Sequence, residues 1–163
     1  MVSATDRIER ELLIRAPQER VWRALSDAAE FGDWFGVELD GQFAPGAAMA
    51  GRIKPTSADA EVAEIQERHK GKRLTLVVDR MEPTRLFSYR WHPFAIDPTV
   101  DYSNEPMTLV TFTLEPKEGG TLVRIVEVGF DSIPLARRAD AFEANDEGWA
   151  LMIDVLAKHL ARA

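Results

Sequence analysis

Aromatic and methionine side chains are the groups of this sequence best suited to holding a ligand. Strand alternation predicts that Phe87, Tyr89 and Trp91 share one face of a strand. Near the C-terminus, apolar residues recur at helical spacing. Such side chains can line a cavity for an apolar or aromatic molecule, or they can fill a close-packed core. The candidate lining set is Trp34, Phe35, Phe43, Phe87, Tyr89, Trp91, Phe112, Trp149, Met152 and Ile153.

Residues suited to catalysis are few. The chain has three histidines and no cysteine, and no histidine has a second one at the i, i+4 spacing of a helical metal site. His92 ends an aromatic strand and could act as a base at a cavity mouth, with Tyr89 and Asp101 as the other candidates. No phosphate-binding loop or nucleophile elbow is present. We therefore expect no metal and no cofactor, and we assign no catalytic residue.

Three charged residues interrupt apolar strands, namely Arg90, Arg124 and Glu127. Alternation places Glu127 on the face of Val123 and Ile125, and Arg124 on the opposite face. If Arg90 and Glu127 face the same side, they could pair and orient a polar group of a ligand. The interpretation that we favour is a set of solvated charges on the outer face of the sheet.

Hydrophobic periodicity and turn residues divide the chain into strands with helices at both ends. A first strand is followed by two short helices, the second ended by Gly32, and a long helix closes the chain. For residues 55–71 we expect a poorly packed edge or loop, although Asp59 to His69 could be a strand or a helical turn. Residues 93–106 form either a lid or a proline-stiffened connection. The predicted strands are Arg7–Ile14, Val37–Phe43, Ala48–Ile53, Arg73–Met81, Arg85–His92, Thr108–Glu115 and Thr121–Phe130, and the long helix runs from Pro134 to about Arg162.

Composition excludes several classes of protein. A chain of 163 residues is expected to form one domain over residues 1–163. A net charge of −7 with no basic cluster argues against nucleic-acid binding. No apolar run approaches the roughly 18 residues of a membrane span, and no signal peptide is recognisable, so we expect a cytoplasmic protein. Abundant arginine and alanine suggest a bacterial source.

Four segments, in this order along the chain, resemble the activator-of-Hsp90-ATPase homologue domain of the START/Bet v 1-like (SRPBCC) superfamily. They are APQERVWRALSDAAEFGDWF, MEPTRLFSYRWHP, LVTFTLEPKEGGTLVRIVEVGF and EGWALMIDVLAKHL, and the resemblance extends from about residue 7 to residue 161. It implies an α+β helix-grip fold. In that fold an antiparallel sheet of at most seven strands wraps around the C-terminal helix, two short helices follow strand 1, and a cavity lies between sheet and helix.

The resemblance also implies a class of function. Relatives in the superfamily bind lipids, hormones or polyketides, and a few catalyse cyclisation. We therefore expect a small apolar or aromatic molecule in the cavity, with a protein-interaction module related to Hsp90 co-chaperones and a cyclase-like enzyme as alternatives. About 15 residues precede the first helix, so we expect the upstream Hsp90-binding domain of the eukaryotic activator to be absent. A homodimer is compatible with the sequence.

Overall fold

A computed structural model describes residues 6–162 of the chain. The strands are β1 (Arg7–Ile14), β2 (Val37–Leu39), β3 (Ala48–Ile53), β4 (Arg73–Glu82), β5 (Leu86–Trp91), β6 (Thr108–Lys117) and β7 (Gly120–Val128). The helices are α1 (Gln18–Ser26), α2 (Ala28–Phe35), α3 (Ala60–Glu67) and α4 (Leu135–Ala161), and a 3-10 turn at Phe130–Ser132 precedes α4. Among the helices of residues 6–162, none combines the length and apolar character that a bilayer crossing requires.

The seven strands form one antiparallel sheet in the order β1-β7-β6-β5-β4-β3-β2. After β1 the helices α1 and α2 carry the chain to the opposite edge, and β2 to β7 then return strand by strand until β7 pairs with β1. The predicted hairpin is present as β6 and β7, and Gly119 in its turn has a φ of 87°. Glycine adopts this left-handed conformation without the steric cost that a Cβ atom would bring.

The core lies between the concave face of the sheet and the helices. Alternate residues of the central strands, such as Phe112 of β6 and Ile125 of β7, are fully buried. Leu156 of α4 and Phe31 of α2 are buried against that face. Burial of each such side chain stabilises the fold by about 1.5–3 kcal/mol. The predicted α+β helix-grip architecture, with two short helices after β1, is confirmed.

Two predicted boundaries are wrong. Gly32 does not end the second helix, because it lies inside α2, which continues to a left-handed Gly36 with a φ of 94°. The carbonyl group of Val37 approaches Gly32 so closely that a Cβ atom there would collide with it. Strand β2 ends at Leu39 rather than Phe43, because Phe43 leaves the sheet edge and packs in the core, 4.9 Å from the ring of Phe87.

Residues 55–71 contain a helix where an edge or loop was expected. Asp59 begins α3 by accepting hydrogen bonds from the backbone N–H groups of Glu61 and Val62, both at 3.0 Å. Gln66 ties the helix to the end of α2, since its Nε2 donates to the Phe35 carbonyl at 2.9 Å. Helix α3 thereby forms one side of the cavity described next.

Candidate ligand-binding cavity

A cavity of about 730 Å³ lies between α4, the end of α2, α3, the strands β4 and β5, and the loop of residues 92–107. This volume is within the range of sites for small organic molecules. Its walls are mainly apolar. Helix α4 contributes one face, because positions 144, 145, 148, 149 and 152 follow helical spacing. Gly148 belongs to this face, and no atom lies within 4 Å of where its Cβ atom would be.

Three aromatic rings form the inner wall. The ring centroids of Trp91 and Trp149 are 5.8 Å apart, and each is 5.9 Å from the ring of Phe35. Both indole N–H groups donate to the carboxylate of Glu127, which lies behind this wall and outside the lining set. Because the polar edges of the two indoles are engaged there, the wall offers the cavity aromatic surface rather than free N–H groups.

Glu127 is fully buried and accepts hydrogen bonds from four side chains. Its Oε1 accepts from Trp149 Nε1 at 2.8 Å and Asn145 Nδ2 at 2.9 Å. Its Oε2 accepts from Trp91 Nε1 at 2.8 Å and Thr108 Oγ1 at 2.6 Å. Burial raises the pKa of Glu127, and these hydrogen bonds act against that rise. The carboxylate therefore ties two strands and α4 together at the inner wall.

The outer-face interpretation of Glu127 is wrong. Alternation along β7 holds: Arg124 points outward and donates to Glu11 at 3.0 Å, whereas Glu127 points inward. Arg90 does not pair with Glu127 either, because it lies on the outer face and bonds to Asp79 at 2.9 Å. An inward carboxylate is possible here because hydrogen-bond donors surround it.

The predicted lining residues divide into two groups. Phe35, Trp91, Trp149 and Met152 line the cavity. The other six are buried outside the lining, and among them Phe87 and Tyr89 are covered by Phe31 of α2, whose ring lies 6.2 Å from each of theirs. These six are Trp34, Phe43, Phe87, Tyr89, Phe112 and Ile153.

The candidate catalytic residues are not brought together. His92 lines the cavity, and its Nε2 donates to the Glu105 carbonyl at 3.1 Å. Tyr89 is buried in the core, where burial raises the pKa of its hydroxyl and where that hydroxyl has no partner among residues 6–162. Asp101 is exposed, lies outside the lining, and accepts from the backbone N–H of Ser103 at 2.9 Å. Within residues 6–162, no three histidine, aspartate or glutamate side chains are grouped as a metal site would need.

Residues 92–107 cover one side of the cavity, and five of them between Phe94 and Ser103 line it. Arg137, in the first turn of α4, holds this loop. Its guanidinium donates to Glu105 Oε1 at 2.7 and 2.9 Å and to the Pro93 carbonyl at 2.9 Å. It also lies 4.8 Å from the centroid of the Tyr102 ring. The loop is thus fastened to α4 and not simply stiffened by its prolines.

Basic side chains occupy the side of the cavity next to α3. His69 and Arg73 line it there. Lys72 Nζ lies 2.9 Å from His69 Nδ1, and the pKa of His69 is lowered by burial and by the nearby Lys72 and Arg68. His69 is therefore neutral at pH 7 and accepts at Nδ1.

Asn145, Thr108 and Gly148 belong to the site but are not among the residues predicted from the sequence. Their positions depend on contacts between distant segments, since Asn145 and Thr108 meet at Glu127 from α4 and β6. A glycine inside an apolar helical repeat was a usable signal, because it costs about 1 kcal/mol relative to alanine. Gly148 lies in the cavity wall, where a Cβ atom would meet no neighbour within 4 Å.

Comparison with known proteins agrees with this architecture. The structure is similar to the protein MLL2253 of Mesorhizobium loti, with a TM-score of 0.68, 27% identity, and coverage of 96% of this chain and 98% of that chain. It is also similar to CV1439 of Chromobacterium violaceum (TM-score 0.68, 21% identity, coverage 93% and 94%). A third similar structure is the Aha1 dimer of Colwellia psychrerythraea (TM-score 0.65, 16% identity, coverage 94% and 95%).

No curated protein matches the sequence significantly. The family described as "Activator of Hsp90 ATPase homolog 1-like protein" matches residues 15–161. This range contains the helices α1 to α4 and the strands β2 to β7. The resemblance noted in the sequence is confirmed, and the chain belongs to this family.

Proposed function

We propose that the protein binds a small, predominantly apolar or aromatic molecule in the cavity between the sheet and α4. One observation carries this proposal, namely the unfilled volume of about 730 Å³ beside the rings of Phe35, Trp91 and Trp149. The space is partly open to solvent, so a ligand can enter it and bury apolar surface against these rings. A space of this size with aromatic walls is suited to a ligand that supplies the missing contacts.

Binding is favoured over the two alternatives. A packed interior without a cavity would be expected of a module that acts only through its surface, and the cavity argues against that function. A cyclase-like enzyme would need acid and base groups close to one substrate. Of His92, Tyr89 and Asp101, only His92 lines the cavity.

A variant that fills the cavity tests the proposal. Gly148→Phe adds an aromatic ring at a position where a Cβ atom meets no neighbour, so the ring enters the ligand space. Leu151→Phe is the matched control, because Leu151 lies on the exposed side of the same helix and is 47% exposed. Lipids, flavonoids and phenolic acids are screened against the wild type and both variants by thermal shift and native mass spectrometry.

A ligand present at 100 times its Kd should add about 2.7 kcal/mol to the free energy of unfolding. For a protein of this size that corresponds to a rise in Tm of about 5–10 °C. We expect hits with the wild type and Leu151→Phe, and none with folded Gly148→Phe. The proposal fails if the screen gives no hit, or if Gly148→Phe binds the hits as well as the wild type does.

A further inference from the structure

We infer that Asn145 Oδ1 is a hydrogen-bond acceptor for the ligand, and that the ligand is an aromatic or apolar molecule carrying an O–H or N–H group. Glu127 is the positioning residue that turns the Asn145 amide in this direction. The inference rests on the proposed function and specifies the chemistry of the ligand at that same site.

The partners of Glu127 determine the orientation of the amide. The indole N–H groups of Trp91 and Trp149 can only donate, and both donate to Glu127. The ionised form of Glu127 only accepts, so in that form Asn145 must offer its NH₂ group, and Nδ2 lies 2.9 Å from Oε1 and 3.1 Å from Oε2. Because the amide is planar, Oδ1 is directed away from the carboxylate.

Asn145 Oδ1 is available to a ligand. Asn145 lines the cavity whereas Glu127 does not, and Oδ1 accepts no hydrogen bond from residues 6–162. Gln66, the other amide of the wall, is different: its Oε1 accepts from the Thr56 N–H at 2.8 Å, and its Nε2 donates to the Phe35 carbonyl. The Gln66 amide is therefore engaged at both ends, and the Asn145 amide at one.

The surroundings of Asn145 make this acceptor selective. Its neighbours along the same face of α4 are Ala144, Gly148, Trp149 and Met152, and the one polar edge among them is engaged by Glu127. A ligand that covers Oδ1 but has no donor displaces water from this oxygen and leaves it without a hydrogen bond, which costs free energy. A ligand with a donor replaces that water, so we expect a preference of at least about tenfold, equivalent to about 1.4 kcal/mol.

Three aromatic probes of similar size measure this preference: 1-naphthol, which donates and accepts; 1-methoxynaphthalene, which only accepts; and 1-methylnaphthalene, which does neither. Binding is followed by the fluorescence of the tryptophans and by calorimetry. Methoxynaphthalene is the less polar of the first two, so hydrophobic burial alone would favour it. We expect naphthol to bind the wild type at least about tenfold more tightly than either other probe.

Two variants assign the preference to residues. Asn145→Leu keeps the approximate volume and removes the acceptor, so the affinities of naphthol and methylnaphthalene should converge to within about twofold. Glu127→Gln introduces a donor beside Asn145 and allows the amide to reverse, so the preference should shift from naphthol towards methoxynaphthalene. A merely structural role of Glu127 would weaken all three probes equally. Glu118→Gln, on an exposed turn, should change nothing.

The possible outcomes separate the inference from the proposed function. If no probe binds the wild type, the proposed function fails for aromatic molecules and the inference fails with it. If all three probes bind the wild type equally, the inference alone is overturned, and this result needs no variant to fold. A naphthol preference that survives in Asn145→Leu overturns the role of Asn145, and one that survives in Glu127→Gln overturns the positioning role.

Discussion

Substitution of Gly148 by alanine should make the protein more stable while narrowing its cavity. Gly148 is an interior residue of the 27-residue helix α4. An added Cβ atom would have no heavy atom within 4 Å, so the new methyl group neither collides with a neighbour nor packs against one. The change therefore isolates the backbone preference of the helix.

The expected change in the free energy of unfolding follows from this backbone preference alone. Glycine in a helix interior costs about 1 kcal/mol relative to alanine. A methyl group with no contacts gains none of the roughly 0.8 kcal/mol that a buried methylene contributes. We therefore expect Gly148→Ala to raise the free energy of unfolding by about 1 kcal/mol, and Tm by about 2–4 °C.

Urea denaturation of the wild type and two alanine variants checks this value. Gly32 is the matched control, because it too lies inside a helix, but its Cβ atom would collide with the Val37 carbonyl. Gly32→Ala should lower stability by about 1–3 kcal/mol, as overpacking does. If Gly148→Ala is neutral or destabilising while Gly32→Ala behaves as expected, then the space beside α4 is not open in solution. The cavity would then be filled, and the argument for a ligand would lose its basis.

Three further changes should have measurable effects. Arg137→Ala should increase proteolytic cleavage within residues 92–107 about tenfold, because it removes the hydrogen bonds that fasten this loop; unchanged cleavage would mean that the loop is held by other contacts. Burial raises the pKa of Glu127, so its protonated form favours folding. This contribution is complete below the ordinary pKa of 4.5 and is lost as pH rises through the raised pKa. The free energy of unfolding of the wild type minus that of Glu127→Gln should therefore fall in urea titrations as the pH rises above 4.5, and a rise would contradict the assignment. Burial acts to raise the pKa of Glu30, but hydrogen bonds from His159 and Arg20 outweigh it and lower that pKa. Glu30 thus adds stability above its ordinary pKa of 4.5, and this stability is lost on acidification. Glu30→Gln should cost about 1 kcal/mol at pH 7 and little at about pH 3, whereas a cost independent of pH would refute this.

Periodicity in the sequence predicted most strands and α4 well, and it failed at α3. Helix α3 has eight residues and buries one apolar side chain, Val62, while Ile65 is 47% exposed. So weak an amphipathic pattern cannot be separated from a loop. What fixes α3 is its cap at Asp59 and the bonds of Gln66 to distant backbone groups, and no periodic pattern reveals those contacts.

The cavity itself could be predicted only in outline. Alternation correctly placed Phe87, Tyr89 and Trp91 on one face of β5. It could not tell which end of that face would be covered, because this depends on how α2 crosses the sheet. Phe31 covers Phe87 and Tyr89, so only Trp91 of the three reaches the cavity. Which residues of β5 reach the cavity depends on the packing of α2 against the sheet, and the sequence of one strand carries no information about that packing.

The inward direction of the Glu127 side chain was predictable from the alternation along β7. Its charge nevertheless led to the wrong prediction that it lies on the outer face. It shares a face with Val123 and Ile125, both fully buried, so strand geometry alone placed it inside. The donors that hydrogen-bond the buried carboxylate are 18 to 36 residues away in the sequence, on β5, β6 and α4. No local sequence pattern predicts them.

A buried carboxylate with neutral partners contributes little net stability, because the cost of removing its charge from water offsets its hydrogen bonds. Its larger effect is geometric. One acceptor group fixes the edges of Trp91 and Trp149 and the orientation of Asn145, so a single residue determines both the aromatic wall and the polar group beside it. The structure therefore accounts for Glu127 better as the group that organises the cavity wall than as a stabilising contact. The two roles differ in a measurable way, since only the first makes ligand selectivity depend on Glu127.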